Sequence, residues 1–210
     1  IDAASGRYIL RTQPAGQLLK SAHALDREAR VMSALHGTAV PVARLHVLCN
    51  DMDVIGVQFY LMDFVAGEGH REVALPDVAL QRRPAIYRAA LDTLAAIHRS
   101  DIDALGLRDF GRPGNYFERQ LHRWTQQYRS AMPQGLPEME QLIEALQRTL
   151  PHGDHPTVLM HGDNRLDNLM FVPGEDRVAA VLDWELSTLG HPLADLGQFL
   201  GVQDLPADYL

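Results

Sequence analysis

A chain of 210 residues, 46% of them apolar and 22% charged, is long enough to bury a core in one domain or two small lobes. Its formal net charge of -8 is the wrong sign for a nucleic-acid or anionic-membrane binder. No apolar run approaches the roughly 20 residues of a membrane span, the start carries no secretory leader pattern, and a single cysteine excludes an internal disulfide framework, so the expected compartment is the cytoplasm.

In chain order, Ile1 in place of Met leads us to expect that residues precede it. The turn Ala4-Ser5-Gly6 enters an expected strand, Arg7-Tyr8-Ile9-Leu10-Arg11, with Tyr8 and Leu10 on one face and Ile9 and Arg11 on the other. Ser21 is the expected N-cap of a helix. Its apolar residues Leu25, Ala29, Met32 and Leu35 recur at helical spacing until Gly37 stops it, with Glu28 off that stripe. Val42 to Cys49 and Val54 to Leu61 read as strands joined by the turn Asn50-Asp51-Met52-Asp53, with Cys49 a small core residue. The second strand runs on into Met62-Asp63-Phe64-Val65-Ala66-Gly67.

Beyond it the pattern is helical. Pro84 suits a first turn, and Tyr87, Ala90, Leu91, Leu94 and His98 share a face, His98 as a hydrogen-bonded core residue. Residues 109–114 break the chain. Phe117, Leu121, Trp124 and Tyr128 mark the next helix, and Met139 to Leu150 another, with Leu142, Ile143 and Leu146 turned inward. Five arginines, Arg108, Arg112, Arg119, Arg123 and Arg129, face only Asp109 and Glu118 within residues 108–129. Arg112, Arg119 and Arg123 are therefore candidate receivers for an anionic part of a ligand.

The chemistry concentrates near the end. Thr157 to Met160 reads as a strand entering a polar loop, His161-Gly162-Asp163-Asn164-Arg165-Leu166-Asp167-Asn168. Leu169 to Val172 leaves it, Pro173-Gly174 turns, and Val178 to Leu182 returns to Asp183-Trp184-Glu185. Asp163, Asn168 and Asp183 then sit at strand ends over one small volume. One carboxylate and one amide suffice for Mg²⁺, which takes hard oxygen ligands and keeps several waters. A second carboxylate is left to accept a proton from an attacking hydroxyl. His152-Gly153-Asp154 repeats the tripeptide, but Leu159 stands where the amide should be, so that copy reads as an exposed loop.

At His161 to Asn168 and at Leu182 to Glu185 the sequence resembles the aminoglycoside phosphotransferase and choline kinase family. The run Leu182 to Gly190 is similar to the phosphotransferase domains related to those fused to acyl-CoA dehydrogenases. The resemblance implies an α+β, protein-kinase-like fold of two lobes: an incomplete antiparallel-sheet N-lobe over residues 1–66 and a larger, mainly helical C-lobe over 67–210. The C-lobe would carry the catalytic loop 160–171 and the metal-binding stretch 181–186. It also implies a glycine-rich loop ahead of the Arg11 strand and further helices after Leu210. By the same resemblance the enzyme uses ATP and Mg²⁺ to phosphorylate a small-molecule hydroxyl. Asp163 would be the base, and Asn168 and Asp183 the metal ligands. Arg11, paired with Glu28, would face the nucleotide phosphates, and backbone near Asp63 and Val65 would face adenine. His161, Glu185 and Asp195 would support the loop and the metal.

The arginines favour a hydroxyacyl-CoA or hydroxy acid over a polycationic aminoglycoside or choline. Two other classes stay open: a kinase-like binding module associated with a dehydrogenase, and a metallohydrolase built on His152, His155, His161, Asp154 and Asp163.

Overall fold

The computed structural model describes residues 1–12, 24–151 and 156–203. Ser21, the expected N-cap, and His152, Asp154 and His155, the additional metallohydrolase candidates, lie outside the described residues.

The first sheet is antiparallel and built from β1 (Asp2–Ala3), β2 (Gly6–Thr12), β3 (Leu45–Cys49) and β4 (Phe59–Asp63), in the order β1-β2-β4-β3. Its register sets Arg11 of β2 opposite Tyr60 of β4. Helix α1 (Ala24–Leu35) packs against β3 and β4. Leu25, Ala29, Met32 and Leu35 are buried as their spacing predicts. Glu28 was expected off the stripe, yet it is 1% exposed. Position 28 lies three residues beyond Leu25, and that places it on the same face.

Between β3 and β4 the structure departs from the sequence reading. Residues 52–55, read as a turn and the start of a strand, form a one-turn helix, α2 (Met52–Ile55). The Asp51 carboxylate accepts the Asp53 N–H at its start, and Gly56, at φ 84°, closes its end. These caps outweigh the strand preference of Val54 and Ile55. Cys49 is half-buried, not a core residue.

The chain then leaves the first sheet. β5 (Glu68–Gly69) pairs with β7 (Leu169–Phe171), which pairs in turn with β8 (Val178–Val181), while β6 (Val158–Met160) pairs with β9 (Thr188–Gly190). β9 had no counterpart in the sequence reading. Helices α3 (Arg83–His98), α4 (Tyr116–Ala131), α5 (Pro137–Arg148) and α6 (Pro192–Gln203) complete the described chain, and α3 packs on β6 and β8. The buried stripe of α3 is Ile86, Ala90, Thr93, Leu94 and Ile97, so Leu91 faces outward. In α5 only Ile143 is buried; Leu142 and Leu146, expected inside, are exposed. Trp124 of α4 is exposed as well.

Candidate active site

The β7–β8 hairpin brings the two acidic centres together. Asn168 joins them: its backbone carbonyl accepts the Leu182 N–H at 2.8 Å, and its side-chain nitrogen donates to Asp163 O at 2.8 Å and Asp163 Oδ2 at 3.1 Å. Both amide hydrogens are then engaged, and only the amide oxygen is left for another partner. The other oxygen of Asp163, Oδ1, accepts the Gln198 amide of α6 at 2.7 Å. Asp163 is thereby fixed by two neutral donors while 26% of its side chain stays exposed to an incoming group.

His161 is fully buried. Its Nδ1 accepts the Asp163 N–H at 3.2 Å, and its Nε2 lies 2.8 Å from the Leu182 carbonyl, which can only accept. The proton is therefore on Nε2 and the ring is neutral, in line with burial holding its pKa below the ordinary histidine value. Asp195, also fully buried, accepts the N–H groups of His161 and Gly162, each at 2.9 Å, and lies 3.0 Å from His98 Nε2. His191 opens α6 by accepting the Leu193 N–H at 3.1 Å through Nδ1.

Gly162 has a left-handed φ of 84°, and a Cβ there would lie 2.4 Å from the Leu186 carbonyl oxygen. Gly162→Ala is therefore expected to destabilise the fold by at least about 1–3 kcal/mol. A denaturation midpoint equal to wild type would show that the loop can rearrange.

Opposite this hairpin stands Arg11. Its guanidinium meets Glu28 at 3.1 Å, Asp183 at 2.9 Å and Glu185 at 3.4 Å. Burial pulls the Arg11 pKa down, but Glu28, Tyr60 and Asp183 together hold it above the ordinary value. Burial pushes the Glu28 carboxyl up against the opposing pull of Arg11. Tyr60, also buried, hydrogen-bonds Glu28 and has its own pKa raised, first by burial and then by that carboxylate. Asp183 adopts φ 61° and ψ 61°, a left-handed conformation that Asp and Asn tolerate better than most residues.

Among the described residues, no hydrogen bond or ion pair joins the remaining expected site residues to this centre. The Asp63 N–H donates to Arg44 O at 2.9 Å, its carboxylate lies 2.6 Å from His46 Nε2, and Val65 packs half-buried against the core. Arg119 donates to the carbonyls of Gly114 and, at 2.8 Å, of Arg112, so it fastens the segment before its own helix. Arg112 is exposed, and Arg123 lies 5.1 Å over the Trp124 ring. Among the described residues none of these three arginines bonds to the loop 160–171.

Tyr60, Gln198 and Arg165 were missed. Tyr60 is set by strand register, and Gln198 reaches its partner 35 positions away. Arg165 stood in view two residues after Asp163. Its Nε lies 4.0 Å from Asp163 Oδ1 and 3.0 Å from Asp167 Oδ1.

The elements described define a kinase-like fold. The chain belongs to the phosphotransferase enzyme family, whose profile matches residues 1–209. It is 46% identical over 192 residues to acyl-CoA dehydrogenase family member 11 of Homo sapiens, a match covering 91% of this chain and 25% of the relative. It is 45% identical over 209 residues to acyl-CoA dehydrogenase family member 10 of Mus musculus, covering 100% of this chain and 20% of the relative. The chain thus spans about a quarter or less of the length of these curated relatives.

A crystal structure from Ralstonia eutropha, named provisionally as an aminoglycoside phosphotransferase, superposes with a TM-score of 0.88 at 45% identity. That match covers 98% of this chain and 61% of the other. The GDP complex of wild-type aminoglycoside 2'-phosphotransferase-IIIa shares the fold alone, with a TM-score of 0.66 at 16% identity over 90% of this chain and 63% of the other. No helix among the described residues is long and apolar enough to cross a membrane.

Proposed function

We propose that this chain transfers the terminal phosphoryl group of ATP to the hydroxyl of a small hydroxyacyl acceptor, a hydroxyacyl-CoA or a hydroxy acid. The observation that carries this is the position of Asn168, which holds the Asp163 carboxylate with its amide and the strand end of Asp183 with its carbonyl. One carboxylate, Asp183, and one free amide oxygen, that of Asn168, suit Mg²⁺, which takes its other ligands from phosphates and water. When bound, Mg²⁺ supplies charge neutralisation for the phosphate oxygens. Among the described residues no three His, Cys, Asp or Glu side chains gather into a closed metal cage.

In the proposed reaction the acceptor hydroxyl oxygen bonds to the terminal phosphorus as the bond to the ADP oxygen breaks. ADP leaves with that electron pair, and the hydroxyl proton passes to Asp163. Arg11, aimed by Glu28 and Tyr60, turns its fork to the phosphates, and Glu185 backs the metal side. Backbone near Asp63 and Val65 receives the adenine. Neutral His161 and buried Asp195 hold the loop in shape. The GDP complex of the fold relative supports a nucleotide in this cleft, and the dehydrogenase names of the longer relatives support an acyl-CoA acceptor.

The test is a coupled ADP-release screen of the protein carrying this chain over 4-hydroxyacyl-CoAs, hydroxy acids, choline and aminoglycosides. The highest kcat/KM is expected with a hydroxyacyl-CoA or hydroxy acid. Preference for an aminoglycoside or choline would overturn the acceptor, and nucleotide binding without turnover on any acceptor would favour a binding module.

A further inference from the structure

A cavity of about 540 Å³ opens beside the catalytic loop, between residues 69–73 and residues 165–170. Its polar walls are Arg71, Arg165 and Asp167; its apolar ones are Val73, Leu166 and Met170. Arg165 belongs to both places at once. It lines the cavity, and its Nε stands 4.0 Å from Asp163 Oδ1. Asp167 answers Arg165 with a two-point ion pair. Arg71, across the cavity, is exposed and has no hydrogen bond or ion pair among the described residues. Arg165 is thus answered by Asp167 and approached by Asp163, which leaves Arg71 as the cavity's guanidinium without a carboxylate partner among the described residues.

A planar guanidinium fork is suited to carboxylate and phosphate oxygens, and an unpaired one at the mouth of a half-apolar cavity is suited to an anion borne on a hydrocarbon arm. We propose that this cavity seats the anionic handle of the acceptor, a carboxylate or a phosphate, with Arg71 as its principal cation and the hydroxyl carried past Arg165 to Asp163. The assignment rests on the kinase reading above. It is preferred to Arg112, Arg119 and Arg123 as the anion receiver because none of those three bonds to the loop 160–171 among the described residues, and Arg119 is already held by backbone carbonyls of its own segment.

Arg71→Ala, Arg71→Glu and Arg71→Lys test it. Arg71 is exposed and makes no hydrogen bond or ion pair among the described residues, so these variants should fold as wild type does. In steady-state assays KM for an anionic hydroxyl acceptor should rise about tenfold or more in Arg71→Ala. It should rise further in Arg71→Glu and recover in part in Arg71→Lys. KM for a neutral hydroxy ester of the same carbon chain should not follow this order. Equal changes for the anionic and neutral acceptors, or a change in the KM for ATP alone, would overturn the proposal.

A binding arm keeps this question separate from turnover. Calorimetric titration of the ADP-loaded protein with coenzyme A, with neutral pantetheine and with a short hydroxy acid needs no chemistry. Weaker binding of coenzyme A in Arg71→Ala identifies a phosphate handle, and weaker binding of the hydroxy acid identifies a carboxylate. Unchanged binding of both, or no binding by wild type, sinks the site whatever the kinase assay shows. Loss of kinase turnover with this binding pattern intact would instead sink the kinase reading alone.

Discussion

Asp163→Ala is expected to slow phosphoryl transfer by at least about 100-fold, the smaller end of what a positioned general base contributes, while nucleotide still binds. Asp163 is held at both oxygens, by Gln198 at 2.7 Å and Asn168 at 3.1 Å, so the wild-type carboxylate is already fixed in one rotamer, as a positioned base would need to be. Alanine removes the proposed proton acceptor and strands two amide donors. Asp163→Asn separates those effects, since it keeps the shape but presents an NH₂ to a donor on one side or the other. Single-turnover ADP formation and calorimetric nucleotide titration on both variants decide the matter. Wild-type turnover in either one removes Asp163 as the base.

Asp183→Asn should remove the Mg²⁺-dependent part of nucleotide affinity, by more than about 100-fold, because changes one step further out from a metal already cost 10–100-fold. Asparagine is the right substitution here. Asp183 sits at φ 61°, ψ 61°, where Asn is tolerated and Ala strained, so the variant changes charge and not backbone. Arg11 keeps Glu28 and Glu185 as partners. Titrating ATP with and without Mg²⁺ measures the difference directly. A variant that retains the wild-type magnesium increment would show that the metal is held elsewhere.

How far these features were legible depended on how local their causes are. The β7–β8 hairpin and the loop before it lie within residues 160–183, and apolar strands, a Pro-Gly turn and polar loop residues state that arrangement outright. β9 is three residues long and finds β6 across some thirty positions, so no pattern within it announces a strand. α5 shows a different limit. Helical spacing groups Leu142, Ile143 and Leu146, but it cannot say which members of the group a neighbour covers. Glu28 was set off the apolar stripe although it stands one turn from Leu25, and Tyr60 was missed because its place opposite Arg11 is supplied by strand register. The α2 caps were in plain view at Asp51 and Gly56 and were outweighed in the reading by β-branched Val54 and Ile55.

Arg11 already answers the charge of Asp183 across the cleft, from β2 to the end of the hairpin. On the proposed reading, binding of a metal–nucleotide would be an exchange of counter-ions and not the first neutralisation of a lone acid. Asp183 would give up a guanidinium for a cation, and Arg11 would turn to phosphate oxygens. A nucleotide without its metal, or a metal without its nucleotide, would then complete only half of the trade.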